Sequence, residues 1–234
     1  TTTPNPRVGC VIVNQQQIVG EGAHLKAGEP HAEVHALRQA GALARGATVY
    51  VTLEPCSHHG RTPPCADALL QAGVIKVIAA MVDPNPLVAG KGLAYLQAHG
   101  VEIHHGLMEA QAKALNPGFI SRMAQQMPWV RSKIAASLDG KTAMENGHSQ
   151  WITSEASRLD VQHWRARSCA ILTGIGTVLA DNPRLTVRTP DARQPLRVVV
   201  DSKLRMPLDA RITQEGACLI AYATDAQQRA AYWL

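Results

Sequence analysis

The chain has 234 residues, of which 46% are hydrophobic and 18% charged, a balance that excludes a disordered or fibrous protein. Aromatics make up only 4%, with a single Phe, so the core must be built from Ala, Val, Leu and Ile, and the base-stacking platforms of RNA readers are scarce. The net charge of +5 is scattered, with no Lys/Arg run longer than two and no stretch of 18 apolar residues; this suits a phosphorylated small molecule and predicts no membrane span.

Thr1 follows no initiator Met and the sequence closes abruptly at Trp233-Leu234, so it reads as a fragment. Cys10, Cys56, Cys65, Cys169 and Cys218 are odd in number in a chain that is not short. That favours an intracellular, cytoplasmic protein with reduced or metal-bound thiols over a disulfide framework.

The first half alternates strands and helices. Val8–Val13 reads as a buried strand, Asn14–Gln17 as a turn and Ile18–Gly22 as the returning strand. Pro30 is expected at the first position of an alanine-rich helix over His31–Ala40, which Gly41 and Gly46 end. Thr48–Leu53 is a strand, Glu54–Pro64 a loop, Ala66–Ala72 a helix capped by Cys65, and Val74–Met81 a strand. Asp83-Pro-Asn-Pro86 is a turn, Gly92–His99 a helix and Val101–His104 a short strand. The rhythm predicts an α/β sheet covered on both faces. Pro117-Gly118 and Pro128 interrupt it, which places a domain boundary near residue 126, dividing the chain into 1–126 and 127–234. Beyond it the expected elements are a strand at Trp129–Ala135, a helix at Ser154–Arg167, and strands at Ala170–Leu172, Arg197–Asp201 and Cys218–Tyr222.

The sharpest motif is His31-Ala-Glu33, then Pro55-Cys56, then Cys65. One imidazole and two thiolates suit a tetrahedral zinc ion, and three protein ligands leave a fourth position for a water whose pKa zinc lowers to about 7. Glu33, two residues after the histidine, is placed to take a proton from that water and return it to a leaving amine. The pattern matches the zinc-deaminase signature H-x-E…P-C-x-x-C, except that eight residues replace two between the cysteines. His31 and His35 are four apart as in zinc proteases, but Ala32 occupies the position where H-E-x-x-H needs glutamate. His58 and His59 are expected to face substrate from the loop.

Glu54-Pro-Cys-Ser-His-His-Gly-Arg-Thr-Pro-Pro-Cys65, with His31-Ala-Glu33, Thr3-Pro-Asn-Pro-Arg-Val-Gly9, Asp83-Pro-Asn-Pro86, Ser137-Leu-Asp-Gly140, Trp151-Ile-Thr-Ser154 and Thr173–Arg188, resembles the bifunctional deaminase/reductase family of riboflavin biosynthesis. The resemblance covers essentially the whole chain. It implies a cytidine-deaminase-like zinc domain followed by a dihydrofolate-reductase-like α/β domain, incomplete at its C-terminus. The first would deaminate 2,5-diamino-6-(5-phosphoribosylamino)pyrimidin-4-one, and the second would reduce the ribosyl group to ribityl with NADPH.

Carried over residue by residue, the resemblance gives His31, Cys56 and Cys65 as zinc ligands and Glu33 as the proton shuttle. Asn5, His24, Arg61 and Asn85 would contact the deaminase substrate. In the second half, Ala135, Trp151, Thr177, Asp181 and Ser202 match cofactor positions, and Ser149, Arg165, Leu185 and Arg188 match substrate positions. Lys133 matches a residue expected beside the reacting sugar, where it would be a donor to developing oxygen charge. Residues alone give less here: Gly174-Ile-Gly176 is a short glycine loop without the third glycine of a dinucleotide fingerprint. The family's reductase continues into a glycine-rich nucleotide loop and an acidic substrate contact, neither of which follows Tyr222. A homo-oligomer is expected, with a phosphorylated pyrimidine as substrate and neither nucleic acid nor membrane as partner. The competing reading, an RNA- or nucleoside-acting zinc deaminase with an accessory domain, is disfavoured by the low aromatic content and the long Cys56–Cys65 loop.

Overall fold

A computed structural model describes residues 2–58, 63–225 and 230. The chain separates into two units, Thr2–Arg131 and a second from Ser132 onward.

In the first unit, β1 (Gly9–Asn14) and β2 (Gln17–Ala23) form a hairpin, and β3 (Thr48–Val51), β4 (Lys76–Ala79) and β5 (Glu102–His105) follow. The sheet order is β2-β1-β3-β4-β5; β1 runs antiparallel to both its neighbours, while β3, β4 and β5 are parallel. Alternation sets the faces. Cys10 and Ile12 oppose Val51 and Val49, which in turn lie beside Ala79 and Val77, and all six side chains are buried. Against this face pack α1 (Ala32–Ala40) through Ala32, Ala36 and Ala40, α2 (Cys65–Ala72) through Ala66 and Leu69, and α3 (Lys91–Ala98) through Leu93 and Leu96. The other face is covered only in part among the described residues. Tyr50 is exposed there, and Val11, Val13 and Ile78 are half-buried.

Alanines on α1 allow a close approach that β2 completes with glycine. A Cβ on Gly20 would collide with the Ala36 carbonyl, and one on Gly22 with the Ala32 carbonyl and the Ala36 amide. α1 starts one residue later than expected: His31 is its N-cap, and Pro30 stands outside it. α2 starts one residue earlier than expected: Cys65 is its first residue rather than its cap, and Pro64 is the N-cap.

After β5 come α4 (Glu109–Leu115) and α5 (Pro117–Gln125), neither expected from the sequence. Pro117 opens α5 rather than breaking the rhythm, because a proline at N1 loses no helical hydrogen bond. Phe119, Ile120 and Ala112 pack on Leu53, Met81, Ala80 and Val8.

The second unit has α6 (Glu155–Arg167), capped by the Ser154 hydroxyl accepting from Ser157 N, then β6 (Ala170–Gly174), α7 (Ile175–Asp181), β7 (Leu196–Val200) and β8 (Cys218–Ala221). The three strands form a parallel sheet in the order β6-β7-β8, and Ile175, Val178, Val199, Met206, Ala210 and Ile212 fill its core. Trp129–Ala135, expected as a strand, is not one: among the described residues no strand pairs with it, and its apolar run is largely exposed. Gly174-Ile-Gly176 is not a loop either, since Gly174 ends β6 and α7 begins at the next residue.

Candidate metal centre and its cleft

The topology of the first unit brings distant segments to one edge. The carboxyl ends of β3 and β4 lead to Cys56 and Asn85. Because β1 is antiparallel to β3, the chain entering β1 and the chain leaving β2 reach the same edge with Asn5 and His24. The N-termini of α1 and α2 add His31 and Cys65. Ligand sites of open α/β sheets lie at the carboxyl ends of the strands. Here a cleft of about 470 Å³ opens at that edge, lined among others by Asn5, His24, His31, Glu33, Cys56, His58 and Asn85.

His31, Cys56 and Cys65 present one ligand atom each, all within 4.8 Å of one another. The His31 Nδ1 lies 3.6 Å from Cys56 Sγ and 3.3 Å from Cys65 Sγ. With Zn–N near 2.05 Å and Zn–S near 2.3 Å, tetrahedral angles put nitrogen and sulfur about 3.6 Å apart, so the donors present fit zinc. Their ionisation points the same way. The Cys56 thiol is pulled down to about 4, first by the hydrogen bond from the Cys65 thiol and then by His31, while Cys65 is pushed up by sharing that proton and by burial. The backbone N–H of Cys65, at the start of α2, also donates to Cys56 Sγ at 3.4 Å. Two thiols this close cannot both ionise unless a cation joins them.

Glu33 is 3% exposed, and burial pushes its carboxyl up to about 7. His24 Nδ1 donates to the Pro30 carbonyl at 3.1 Å, which leaves Nε2 to accept from Asn5 Nδ2 at 3.0 Å. The Asn5 side-chain oxygen is thereby the group offered to a ligand. Asn85 is turned the opposite way: its Oδ1 accepts from Leu87 N at 3.1 Å, and its Nδ2 donor remains. Arg61 and His59 lie outside the described residues.

The positions singled out in the second unit are less gathered. Lys133, Trp151, Thr177, Asp181, Arg188 and Ser202 are exposed, and Ala135, Ser149, Arg165 and Leu185 are half-buried. Arg158 stacks over the Trp151 ring, 4.3 Å from its centroid. Arg165 and Arg188 are brought near each other: burial, and then the charge of Arg188, lower the pKa of Arg165, whose Nη1 donates to the Thr186 carbonyl at 3.0 Å.

A region described as the cytidine and deoxycytidylate deaminase zinc-binding region matches residues 1–81, and the RibD C-terminal domain matches residues 128–232. The RibD of Acinetobacter baumannii superposes with a TM-score of 0.92 at 53% identity, over 99% of this chain and 67% of its own. The chain belongs to the RibD family. Among curated relatives, the riboflavin biosynthesis protein RibD of Escherichia coli K12 is 58% identical over 228 residues. That match covers 92% of this chain and 62% of the relative, so the chain spans about six tenths of its length. The Thermotoga maritima structure titled a diaminohydroxyphosphoribosylaminopyrimidine deaminase/5-amino-6-(5-phosphoribosylamino)uracil reductase matches at TM-score 0.87 and 40% identity, covering 95% of this chain and 65% of its own. Among the described residues no helix is long and apolar enough to cross a membrane.

Two buried polar side chains of the first unit carry little or no local signal in the sequence. Glu54 is a buried carboxylate beside the cleft, and Asn116 holds the Arg7 backbone from 109 positions away. The only local signal for the first was its place directly before Pro55-Cys56; nothing local marks the second.

Proposed function

We propose that the first unit carries the deaminase activity named for the family: hydrolytic removal of an exocyclic amine from 2,5-diamino-6-(5-phosphoribosylamino)pyrimidin-4-one. The observation that carries this reading is the three-donor cluster on the floor of the cleft with the Glu33 carboxyl buried beside it. His31, Cys56 and Cys65 hold zinc, which when bound supplies a Lewis acid that acidifies water. Glu33, with its raised proton affinity, takes a proton at its carboxylate and gives it to the departing amine nitrogen, so ammonia leaves neutral. Asn5 accepts from, and Asn85 donates to, the edge of the heterocycle, and Arg61 pairs with the 5'-phosphate. His24, kept neutral by burial, orients Asn5.

The second unit contributes to the paired reaction, NADPH reduction of ribosyl to ribityl. Ala135, Trp151, Thr177, Asp181 and Ser202 contact the cofactor. Lys133 donates to the sugar oxygen, and Ser149, Leu185, Arg165 and Arg188 receive the substrate. Two neighbouring guanidiniums, each otherwise costly beside the other, support a phosphate site at Arg165 and Arg188. The division between the activities falls between Gln125 and Ser132. The protein acts in the cytoplasm as a homo-oligomer on a free phosphorylated pyrimidine; the scattered charge and the size of the cleft support the small-molecule substrate.

The test is ammonia release from the ribosylaminopyrimidine phosphate, with cytidine as control, before and after chelation, with bound zinc measured on the same sample. Release from the pyrimidinone alone, abolished by chelator and restored by zinc, is expected. Zinc-loaded protein that releases no ammonia would end the reading.

A further inference from the structure

Glu54 is 4% exposed, and its carboxylate accepts hydrogen bonds from four backbone amides. Oε2 accepts from Asp83 N at 3.1 Å and Gly90 N at 2.9 Å; Oε1 accepts from Gly92 N at 2.8 Å and Leu93 N at 3.3 Å. Gly90 is the N-cap of α3, and Gly92 and Leu93 are in its first turn. These are amides that a helix cannot satisfy itself, at the end where its dipole favours an anion. One carboxylate thus caps a helix from another segment. The contact is close as well as polar, because a Cβ on Gly92 would collide with the Pro55 carbonyl.

Between the clamped amides of Asp83 and Gly90 the chain is short and internally tied. Asp83 Oδ1 accepts from Asn85 N at 2.8 Å, and Asn85 Oδ1 accepts from Leu87 N. This stretch brings Asn85 and Val88 to the cleft, opposite Cys56 and His58, which follow Glu54 directly.

We propose that Glu54 is a positioning residue: it locks the Asp83–Leu93 segment, and with it the Asn85 amide, to the loop that carries Cys56. The metal edge and the heterocycle-reading edge of the cleft are then held at a fixed separation. This rests on the deamination reading above for its consequence, but the clamp itself does not. A glutamine at this position keeps the shape but sets an amino group against two of the four donors.

The experiment compares Glu54→Gln, Asn85→Ala and the double variant, each checked for bound zinc. The readouts are hydrogen exchange at Gly90, Gly92 and Leu93, and steady-state deamination well below the unfolding of the weakest variant. Zinc should stay bound in all three, and exchange at the three amides should speed by at least tenfold in Glu54→Gln. KM should rise by about tenfold with a smaller change in kcat, as expected when a substrate contact is misplaced rather than the chemistry removed. The double variant should be no worse than Asn85→Ala, since both act on one contact. Should Glu54→Gln not fold, Glu54→Asp, which keeps the charge and retracts it by one methylene, should show the same pattern in weaker form. Additive losses, or unchanged KM and exchange, would overturn the inference, because a purely structural carboxylate would lower stability and leave the folded fraction's KM alone. Wild-type protein without deaminase activity would instead remove the functional reading, and amide exchange would still decide whether Glu54 is the clamp.

Discussion

Asn116→Ala tests whether the N-terminal arm of the cleft is held by long-range hydrogen bonding. Asn116 is 8% exposed; its Oδ1 accepts from Arg7 N at 2.8 Å, and its Nδ2 donates to the Arg7 carbonyl at 2.7 Å. Alanine removes both bonds and takes this partner from two backbone groups. Each bond is worth about 1 kcal/mol net, so the first unit should lose about 2 kcal/mol. For a unit of this size that is a fall in Tm of roughly 6–10 °C. Asp at the same position still accepts from Arg7 N but sets an oxygen against the Arg7 carbonyl, so it should fall below wild type. Because Asn5 stands two residues before Arg7, KM for the pyrimidine should rise in parallel. Denaturant unfolding of the zinc-loaded protein, followed by a probe in the first unit, measures the loss. A loss below about 0.5 kcal/mol would refute the reasoning, since it would mean that water replaces both bonds at no cost.

Glu33→Gln should keep bound zinc near one per chain and lower deamination by about 10²–10⁴-fold, because amide and acid share a shape but not a proton; metal analysis beside the ammonia assay checks it. Gly22→Ala should force α1 away from β2, since its methyl meets helix backbone rather than a movable side chain. A cost of about 1–3 kcal/mol and weakened zinc retention are expected, and wild-type stability with unaltered zinc affinity would contradict it. Ser154→Ala removes the hydroxyl that accepts from Ser157 N at 3.2 Å and should cost about 1 kcal/mol at the start of α6, visible as faster amide exchange in its first turn.

The sequence by itself determined the candidate metal donors and most of the elements of the first unit. Val8–Val13, Thr48–Leu53 and the alanine stripe of α1 follow from local periodicity, and periodicity is a property of neighbours in the chain. His31, Glu33, Cys56 and Cys65 were legible because each residue type is scarce and reactive, and their order along the chain carries information before any contact is known. In the second unit α6 and the three strands are likewise legible in the sequence, whereas Trp129–Ala135 is not a strand. An apolar run becomes a strand only when a partner strand supplies its hydrogen bonds, and pairing is not written in the run itself.

Only the tertiary structure could decide how the cleft is held together. The antiparallel placement of β1 beside β3 brings Asn5 and His24 to the edge reached by Cys56 and Asn85. Glu54 finds its four amides 29 to 39 residues away, and Asn116 finds Arg7 at 109. A carboxylate or an amide in a sequence is equally consistent with solvent and with burial. Which one it meets depends on where the unpaired backbone groups of other segments come to rest, and that is fixed when the helices pack on the sheet.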